Sequence, residues 1–257
     1  MINTIFFDFD GTLFSHTTSS IPESTIKALK ELKQNNIKII LCTGRTPEEM
    51  ELFDLKGIEF DGYVLSNGQK ILDKDRNIIK EINIEGELKE KIIELFNSKK
   101  MTIFISTDND AFMNFHNNKL FEVSQHINGL VAKIKEYEDE KIYTASIFME
   151  DEEDERIVNN LSDIAEISWW YEGAVDIGPK GINKVSGIDE ILKHFNIDIK
   201  DTMAFGDGQN DIGMLKHCGI GVCMDNGYEE AKREADYITD DIDNDGVYKA
   251  LKHFDLI

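Results

Sequence analysis

Two carboxylates one residue apart, Asp8 and Asp10, follow the apolar run Thr4-Ile5-Phe6-Phe7 and precede Gly11, Thr12 and Leu13. Alternate side chains of an extended segment point the same way, so both acids can face one small volume. Two carboxylates held together repel unless a cation or a shared proton offsets the charge. The spacing therefore suggests chemistry, although a strand running into an Asx-type turn would use the same residues as punctuation. The choice between these readings rests on what else reaches the same place.

The elements that must position these acids are read from periodicity. Thr4 to Phe7 and Lys38 to Cys42 are short apolar strands, the second ending at Thr43-Gly44-Arg45. Between them Pro22 opens a helix carrying Ile26, Leu29 and Leu32 at helical spacing. Pro47 opens another helix, and Gly62 to Leu65 is a third strand closing at Ser66-Asn67-Gly68. After position 183 the alternation resumes: a helix from Lys184 to Phe195, a strand from Thr202 to Phe205 ending at Gly206-Asp207-Gly208, and a helix from Asp211 to His217. Gly219 to Val222, an edge strand at Tyr237-Ile238 and a closing helix near Val247 to His253 complete the pattern. Strands separated by helices imply parallel pairing. The middle, Ile84 to Asn183, is richer in β segments: Met101 to Ser106, Tyr143 to Met149, and a hairpin of Ile167 to Trp170 with Ala174 to Ile177 around Glu172-Gly173. Helical patterns at Leu88 to Phe96 and Arg156 to Leu161 lie between them. The expected fold is α/β: a Rossmann-like, doubly wound parallel sheet built from residues 1–83 and 184–257, with an α+β insertion at 84–183.

In open parallel sheets ligands gather outside the carboxyl ends of the strands, and each suggestive polar group occupies such a position. Asp8 and Asp10 follow the first strand, Thr43 and Gly44 the second, and Asp207, Asn210 and Asp211 a later one. Three carboxylates with several amides suit a hard, oxygen-seeking cation such as Mg2+. A carboxylate can attack phosphorus to give an aspartyl-phosphate, and a second one nearby can protonate the leaving alcohol and then deprotonate water. The Thr43 hydroxyl, Gly44 N–H and Lys184 ammonium could hold the phosphoryl oxygens as charge spreads over them.

The chain resembles the haloacid dehalogenase (HAD) superfamily phosphatases of the Cof-like type, which carry a type II cap between their second and third motifs. The segments that carry the resemblance are Asp8-Phe9-Asp10-Gly11-Thr12-Leu13, Thr43-Gly44-Arg45, Lys180-Gly181-Ile182-Asn183-Lys184 and Gly206-Asp207-Gly208-Gln209-Asn210-Asp211, in family order across the whole chain. The resemblance implies that Asp8 is the nucleophile and a Mg2+ ligand, and that Asp10 is the general acid and base, lending its carbonyl to the metal. It implies Asp207 as a further ligand, and Asp211 as support for the metal shell or a partner of Lys184. Thr43, Gly44, Lys184 and Asn210 would bind phosphate. Arg45 would either reach the substrate or pair with a surface acid. Asp10 stands where dehalogenases lack the acid, P-type ATPases carry Thr and phosphonatases Ala, which favours ester hydrolysis. Val185 follows Lys184 where the family commonly has Gly. The insertion would be the cap, closing over the site and setting specificity.

The expected function is Mg2+-dependent hydrolysis of small phosphorylated metabolites, sugar phosphates first. The alternatives are a phosphomutase, which would conserve organic phosphate, and a binding protein without turnover. A net charge of −22, from 50 acidic and 28 basic residues, disfavours nucleic acid and anionic membranes as partners. No apolar run approaches the ~20 residues that span a bilayer. Cys42, Cys218 and Cys223 have no framework spacing, and with no leader legible at the N-terminus a cytoplasmic location is expected. Oligomeric state is not legible. A zinc site from Cys218, Cys223 and His217 matches no usual ligand spacing, and none of the six histidines receives a role. Asp241 to Gly246 imitates half a calcium loop but reaches Lys252 where a Glu is needed, so it reads as a surface turn. Asp108-Asn109-Asp110 reads as a hairpin turn and the acidic run from Glu150 to Glu155 as a solvated helix start. Trp169 and Trp170 read as one core and one exposed aromatic. Phe104, Asp108, Asn114 and Tyr171 are candidates for specificity by composition only.

Overall fold

A strand that is apolar at every position must be covered on both faces, and this dictates the layers of the first unit. The computed structural model describes residues 1–107, 110–127 and 131–257, which divide into two units, Met1–Glu81 with Lys184–Ile257, and Ile82–Asn183. The first unit opens with β1 (Thr4–Phe7), α1 (Glu23–Gln34), β2 (Lys38–Cys42), the one-turn α2 (Pro47–Met50), β3 (Gly62–Leu65), β4 (Lys70–Asp73) and β5 (Ile78–Glu81). Along β1 and β2, Ile5, Phe7, Ile39 and Leu41 face one way, against Leu29 and Leu32 of α1. Phe6, Ile40 and Cys42 face the other way. Pro47 is followed by one turn rather than a longer helix, closed by a capping box in which the Thr46 hydroxyl accepts the Glu49 N–H.

The inserted unit contains α3 (Gly86–Ser98), β6 (Thr102–Ser106), β7 (Ala111–Met113), α4 (Asn118–His126), β8 (Lys133–Ile134), β9 (Thr144–Phe148), α5 (Glu152–Asn159), β10 (Ala165–Tyr171) and β11 (Ala174–Pro179). Its six strands run in the order β10-β11-β9-β6-β7-β8. Leu88, Ile92 and Phe96 of α3 and Val158 of α5 cover one face, and Leu120 and Val123 of α4 pack on the other. The hairpin around Glu172-Gly173 is present, with Gly173 at φ +74°. Trp169 packs with the α3 side and Trp170 with the α4 side, both half-buried. The acidic run caps α5, since the Asp151 carboxylate accepts the N–H groups of Glu153 and Asp154. Two of the three residues of the expected turn at 108–110, Asp108 and Asn109, lie outside the described residues.

The chain then returns to the first unit through α6 (Lys184–Phe195), β12 (Thr202–Gly206), α7 (Ile212–His217), β13 (Ile220–Cys223), α8 (Glu229–Glu234), β14 (Tyr237–Ile238) and α9 (Gly246–His253). Ile188 and Ile191 of α6 and Met214 of α7 cover the Phe6 face of the sheet, while Val247 and Leu251 of α9 join α1 on the opposite face. The sheet order is β14-β13-β12-β1-β2-β3-β4-β5. Pairing is parallel from β14 to β3, as expected, but β3, β4 and β5 form an antiparallel meander along one edge. The meander turns where the Asp73 carboxylate accepts the N–H groups of Asp75 and Asn77. The turn imitating a calcium loop is a single 3-10 turn, Ile242–Asn244, leading into α9. Among the described residues no helix is long and apolar enough to cross a membrane, and the three cysteines are unpaired and buried.

Helix α6 lies close against β3 because residue 187 is glycine. A Cβ there would lie 2.3 Å from Val64 Cγ1 and 3.2 Å from Gly68 Cα. Gly187→Val should therefore lower the unfolding free energy by about 1–3 kcal/mol through overpacking, measured as a reduced urea midpoint at unchanged slope.

Candidate active site

β1 lies between β12 and β2, so the segments following these three strands emerge side by side. Asp8 N–H donates to Phe205 O at 2.9 Å, tying the end of β1 to that of β12. The sequence-predicted residues of these segments meet here, joined by Lys184 from the start of α6.

Lys184 is 2% exposed, and its Nζ donates to Asp8 Oδ1 at 2.5 Å and to Asp211 Oδ1 at 2.6 Å. The other Asp211 oxygen accepts the N–H groups of Asp207 at 2.9 Å and Gly208 at 2.8 Å. Asp211 thus fixes both the lysine and the loop that presents Asp207. Thr12 Oγ1 donates to Asp207 Oδ1 at 2.7 Å. Carboxylate oxygens of Asp8, Asp207 and Asp211 lie within 4.8 Å of one another.

Burial, and then the charges on Asp211 and Asp10, outweigh Lys184 and push the Asp8 carboxyl up to about 8. Burial, followed by Asp8 and Asp211, pushes Asp207 well above the usual carboxylate range. Burial alone would lower the Lys184 ammonium, but Asp211 and Asp8 outweigh it and raise it. Both acids thus favour a proton unless a further positive charge joins Lys184. A hard divalent cation, at home among carboxylate oxygens, would supply it, so the donor set fits such an ion.

Asp10 has a different environment. Arg45 donates to it through both arms, Nε to Oδ2 at 2.6 Å and Nη2 to Oδ1 at 2.7 Å. His16 Nε2 lies 3.2 Å from Oδ1. Burial works to raise this carboxyl, but the hydrogen bonds from His16 and Arg45 prevail and hold it at about 2. Arg45 thus pairs with an acid of the site itself rather than a surface acid. His16, one of the histidines left without a role by the sequence, reaches the same carboxylate, and no spacing rule could have indicated it.

Thr43 is buried, and its Oγ1 accepts the Arg45 N–H at 3.1 Å, an arrangement that leaves the hydroxyl proton to be donated elsewhere. The loop bearing Thr43, Gly44 and Arg45 is held from behind by Ser66-Asn67-Gly68, which in sequence reads only as the close of a strand. Ser66 N–H donates to Arg45 O and Asn67 N–H to Thr43 O, each at 3.0 Å. Ser66 and Asn67 are left-handed, at φ 49° and 50°. Such conformations cost about 1–3 kcal/mol each and persist where surrounding contacts over-determine them. Asn210 Nδ2 reaches Asn67 Oδ1 at 3.5 Å, joining the third cluster to this turn.

The specificity candidates have other surroundings. Asn114 is buried and bolts the inserted sheet, accepting Ile103 N–H and donating to Phe96 O and Met101 O at 2.9 Å each. Phe104 and Tyr171 are partly buried beside the α4 cluster, and Asp108 lies outside the described residues. Among the described residues the metal-capable group is the Asp8, Asp207 and Asp211 set, with no group at Cys218 and Cys223.

A family model described as haloacid dehalogenase-like hydrolase matches residues 5–251. YkrA of Bacillus subtilis is 30% identical, over 98% of this chain and 98% of its own. Among solved structures, the phosphatase BT1666 of Bacteroides thetaiotaomicron is similar with a TM-score of 0.90 and 29% identity, covering 100% of this chain and 96% of that one. The subclass IIB sugar phosphatase BT4131 is similar with a TM-score of 0.87 and 33% identity, covering 99% and 100% of the two chains.

Two outcomes follow from this geometry. Between the ordinary 3.8 and about 8, folded Asp8 keeps a proton that the unfolded chain has lost. Stability of the chelated protein should therefore fall as pH rises through that window. Millimolar Mg2+ should flatten or reverse the trend in urea titrations at pH 5 and 8. Gly11 sits at φ +79°, and a Cβ there would lie 2.3 Å from Asp207 Oδ2. Gly11→Ala should weaken Mg2+ binding at least tenfold in calorimetry.

Proposed function

The chain belongs to the haloacid dehalogenase-like hydrolases, and on that premise we propose a Mg2+-dependent phosphomonoester hydrolase that works through an aspartyl-phosphate. Its substrates are small phosphorylated metabolites, sugar phosphates foremost, a choice supported by the likeness to a sugar phosphatase at 33% identity. One observation carries the reading. A buried lysine is shared between Asp8 Oδ1 and Asp211 Oδ1, inside a cluster of carboxylates within 4.8 Å.

In this reading Asp8 attacks phosphorus. As the bond from phosphorus to the ester oxygen breaks, Asp10 gives its proton to the departing alcohol. Asp10 then takes a proton from water, whose oxygen attacks the phosphorus of the aspartyl-phosphate, releasing inorganic phosphate and restoring Asp8. The Thr43 hydroxyl, Gly44 N–H, Lys184 ammonium and Asn210 amide bind the phosphoryl oxygens. Mg2+, held by Asp8, Asp207 and the Asp10 carbonyl with Asp211 supporting them, would neutralise charge on the phosphoryl group. In the substrate-free site Asp10 is ionised by its pairing with Arg45 and His16. Its acid role requires a phosphoryl dianion to draw Arg45 away, which makes Arg45 a substrate-binding residue as well. We assign the choice of leaving group to the inserted unit, as its cap role, and place the protein in the cytoplasm, consistent with its unpaired, buried cysteines.

Asp8→Asn should reduce turnover by about three orders of magnitude or more while circular dichroism stays native. The assay is phosphate release from p-nitrophenyl phosphate with Mg2+ or chelator. Undiminished release by the variant, or by chelated enzyme, overturns the proposal.

A further inference from the structure

We propose that His16 and Phe53, which lie outside the four motif segments, are positioning residues for Asp10. The inference rests on the phosphatase reading and goes beyond it, by identifying what holds the general acid in place.

A carboxyl group rotates in a broad, two-fold well about its last bond, so its direction must be set from outside. Three donors set it here. Arg45 reaches both oxygens, at 2.6 and 2.7 Å, and His16 Nε2 approaches Oδ1 at 3.2 Å. The two residues that supply them stand on one aromatic pedestal. The Arg45 guanidinium carbon lies 4.4 Å from the centroid of the Phe53 ring, within cation–π reach. Phe53 sets its edge against Phe9 at 5.0 Å and Phe14 at 4.9 Å, and those two rings stack on each other at 5.3 Å. Phe14 in turn meets the His16 ring edge-on at 5.6 Å. The loop behind His16 is closed by a two-way backbone pairing of Ser15 with Ser20, at 3.0 and 3.3 Å.

The pedestal explains a division of labour. Arg45 must be free to exchange Asp10 for a phosphoryl oxygen, and the Phe53 face keeps its plane oriented through that exchange. His16 has no such second duty and stays with Asp10 while the proton moves to the leaving oxygen. Once Arg45 has turned to the phosphoryl group, His16, braced by Phe14 and through it by Phe53, is what holds the acid, so losing His16 or Phe53 lets it rotate away from that oxygen without touching the nucleophile or the cation.

The test uses leaving groups of rising basicity on similar frames: p-nitrophenyl, phenyl and benzyl phosphate. Departure of p-nitrophenolate needs little protonation, whereas a benzyl alkoxide needs it fully. Because kcat/KM ends at the first irreversible step, it isolates this proton transfer from the later hydrolysis. His16→Ala should lower kcat/KM at least tenfold more on benzyl than on p-nitrophenyl phosphate, with the Mg2+ activation midpoint within twofold of wild type. His16→Gln, which keeps an N–H donor, should recover most of the benzyl activity. Phe53→Ala should shift the series in the same direction, and Phe53→Tyr should restore it. Equal losses on all three esters, or no steepening of the leaving-group dependence, overturn the proposal. A wild-type enzyme without Mg2+-dependent hydrolysis of p-nitrophenyl phosphate overturns the phosphatase reading itself, and the proposal with it.

Discussion

One buried ammonium organises this protein. Lys184 is almost fully removed from water and survives as a cation because Asp8 and Asp211 close around it. An ion so enclosed is costly unless its partners are well placed. Those partners come from just past the end of β1 and from the last residue of a 3-10 turn, Gln209–Asp211, before α7, while the lysine begins α6. The pair can form only if the sheet brings the ends of β1 and β12 together and α6 packs across them. Fold and site are in this sense one requirement, met by the alternation of apolar side chains that covers both faces of the parallel strands.

The same constraint explains where the polar chemistry is permitted. Side chains within β1, β2 and β12 are committed to the two cores, so carboxylates appear only once the strands have ended. There the backbone is irregular and must be held by other means. The left-handed pair Ser66-Asn67 holds the carbonyls behind Thr43 and Arg45, and the Asp211 carboxylate holds the turn of Asp207 and Gly208. Rigid strands fix the direction of approach, while hydrogen-bonded turns fix the last ångström. The two carboxylates that began as a single pattern have opposite electrostatic surroundings: at Asp8 burial and neighbouring acids outweigh Lys184, and at Asp10 the donors outweigh burial.

Much of this was legible in the sequence, because the strands of the first unit are continuous apolar runs ending in polar clusters. β1, β2 and β3 lie where the runs placed them, and Asp8, Asp207, Asp211 and Lys184 converge. What escaped was of two kinds. Short or exposed elements carry too few residues to show a period: β7 and β8 have three and two residues, and β4–β5 is a half-exposed edge hairpin. Pairings across long sequence separations leave no local trace at all. Arg45 on Asp10 spans 35 positions, and His16 reaches back along its own loop to an acid. A histidine beside a turn looks the same in sequence whether or not a carboxylate waits for it. Asn114 shows the converse: a candidate for specificity by composition only, it is a fully bonded structural tie.

The junction at the end of the insertion has a further consequence. The inserted unit ends at Asn183, and the next residue is the buried lysine. Only residues 180–183 lie between the last strand of the insertion and the first residue of α6. The turn by which the chain comes back is therefore also the turn that delivers the ammonium to its two carboxylates. An exchanged insertion must let α6 start at the same place. A graft that folds well yet spoils that turn would leave a sound sheet, acids without their lysine and no site.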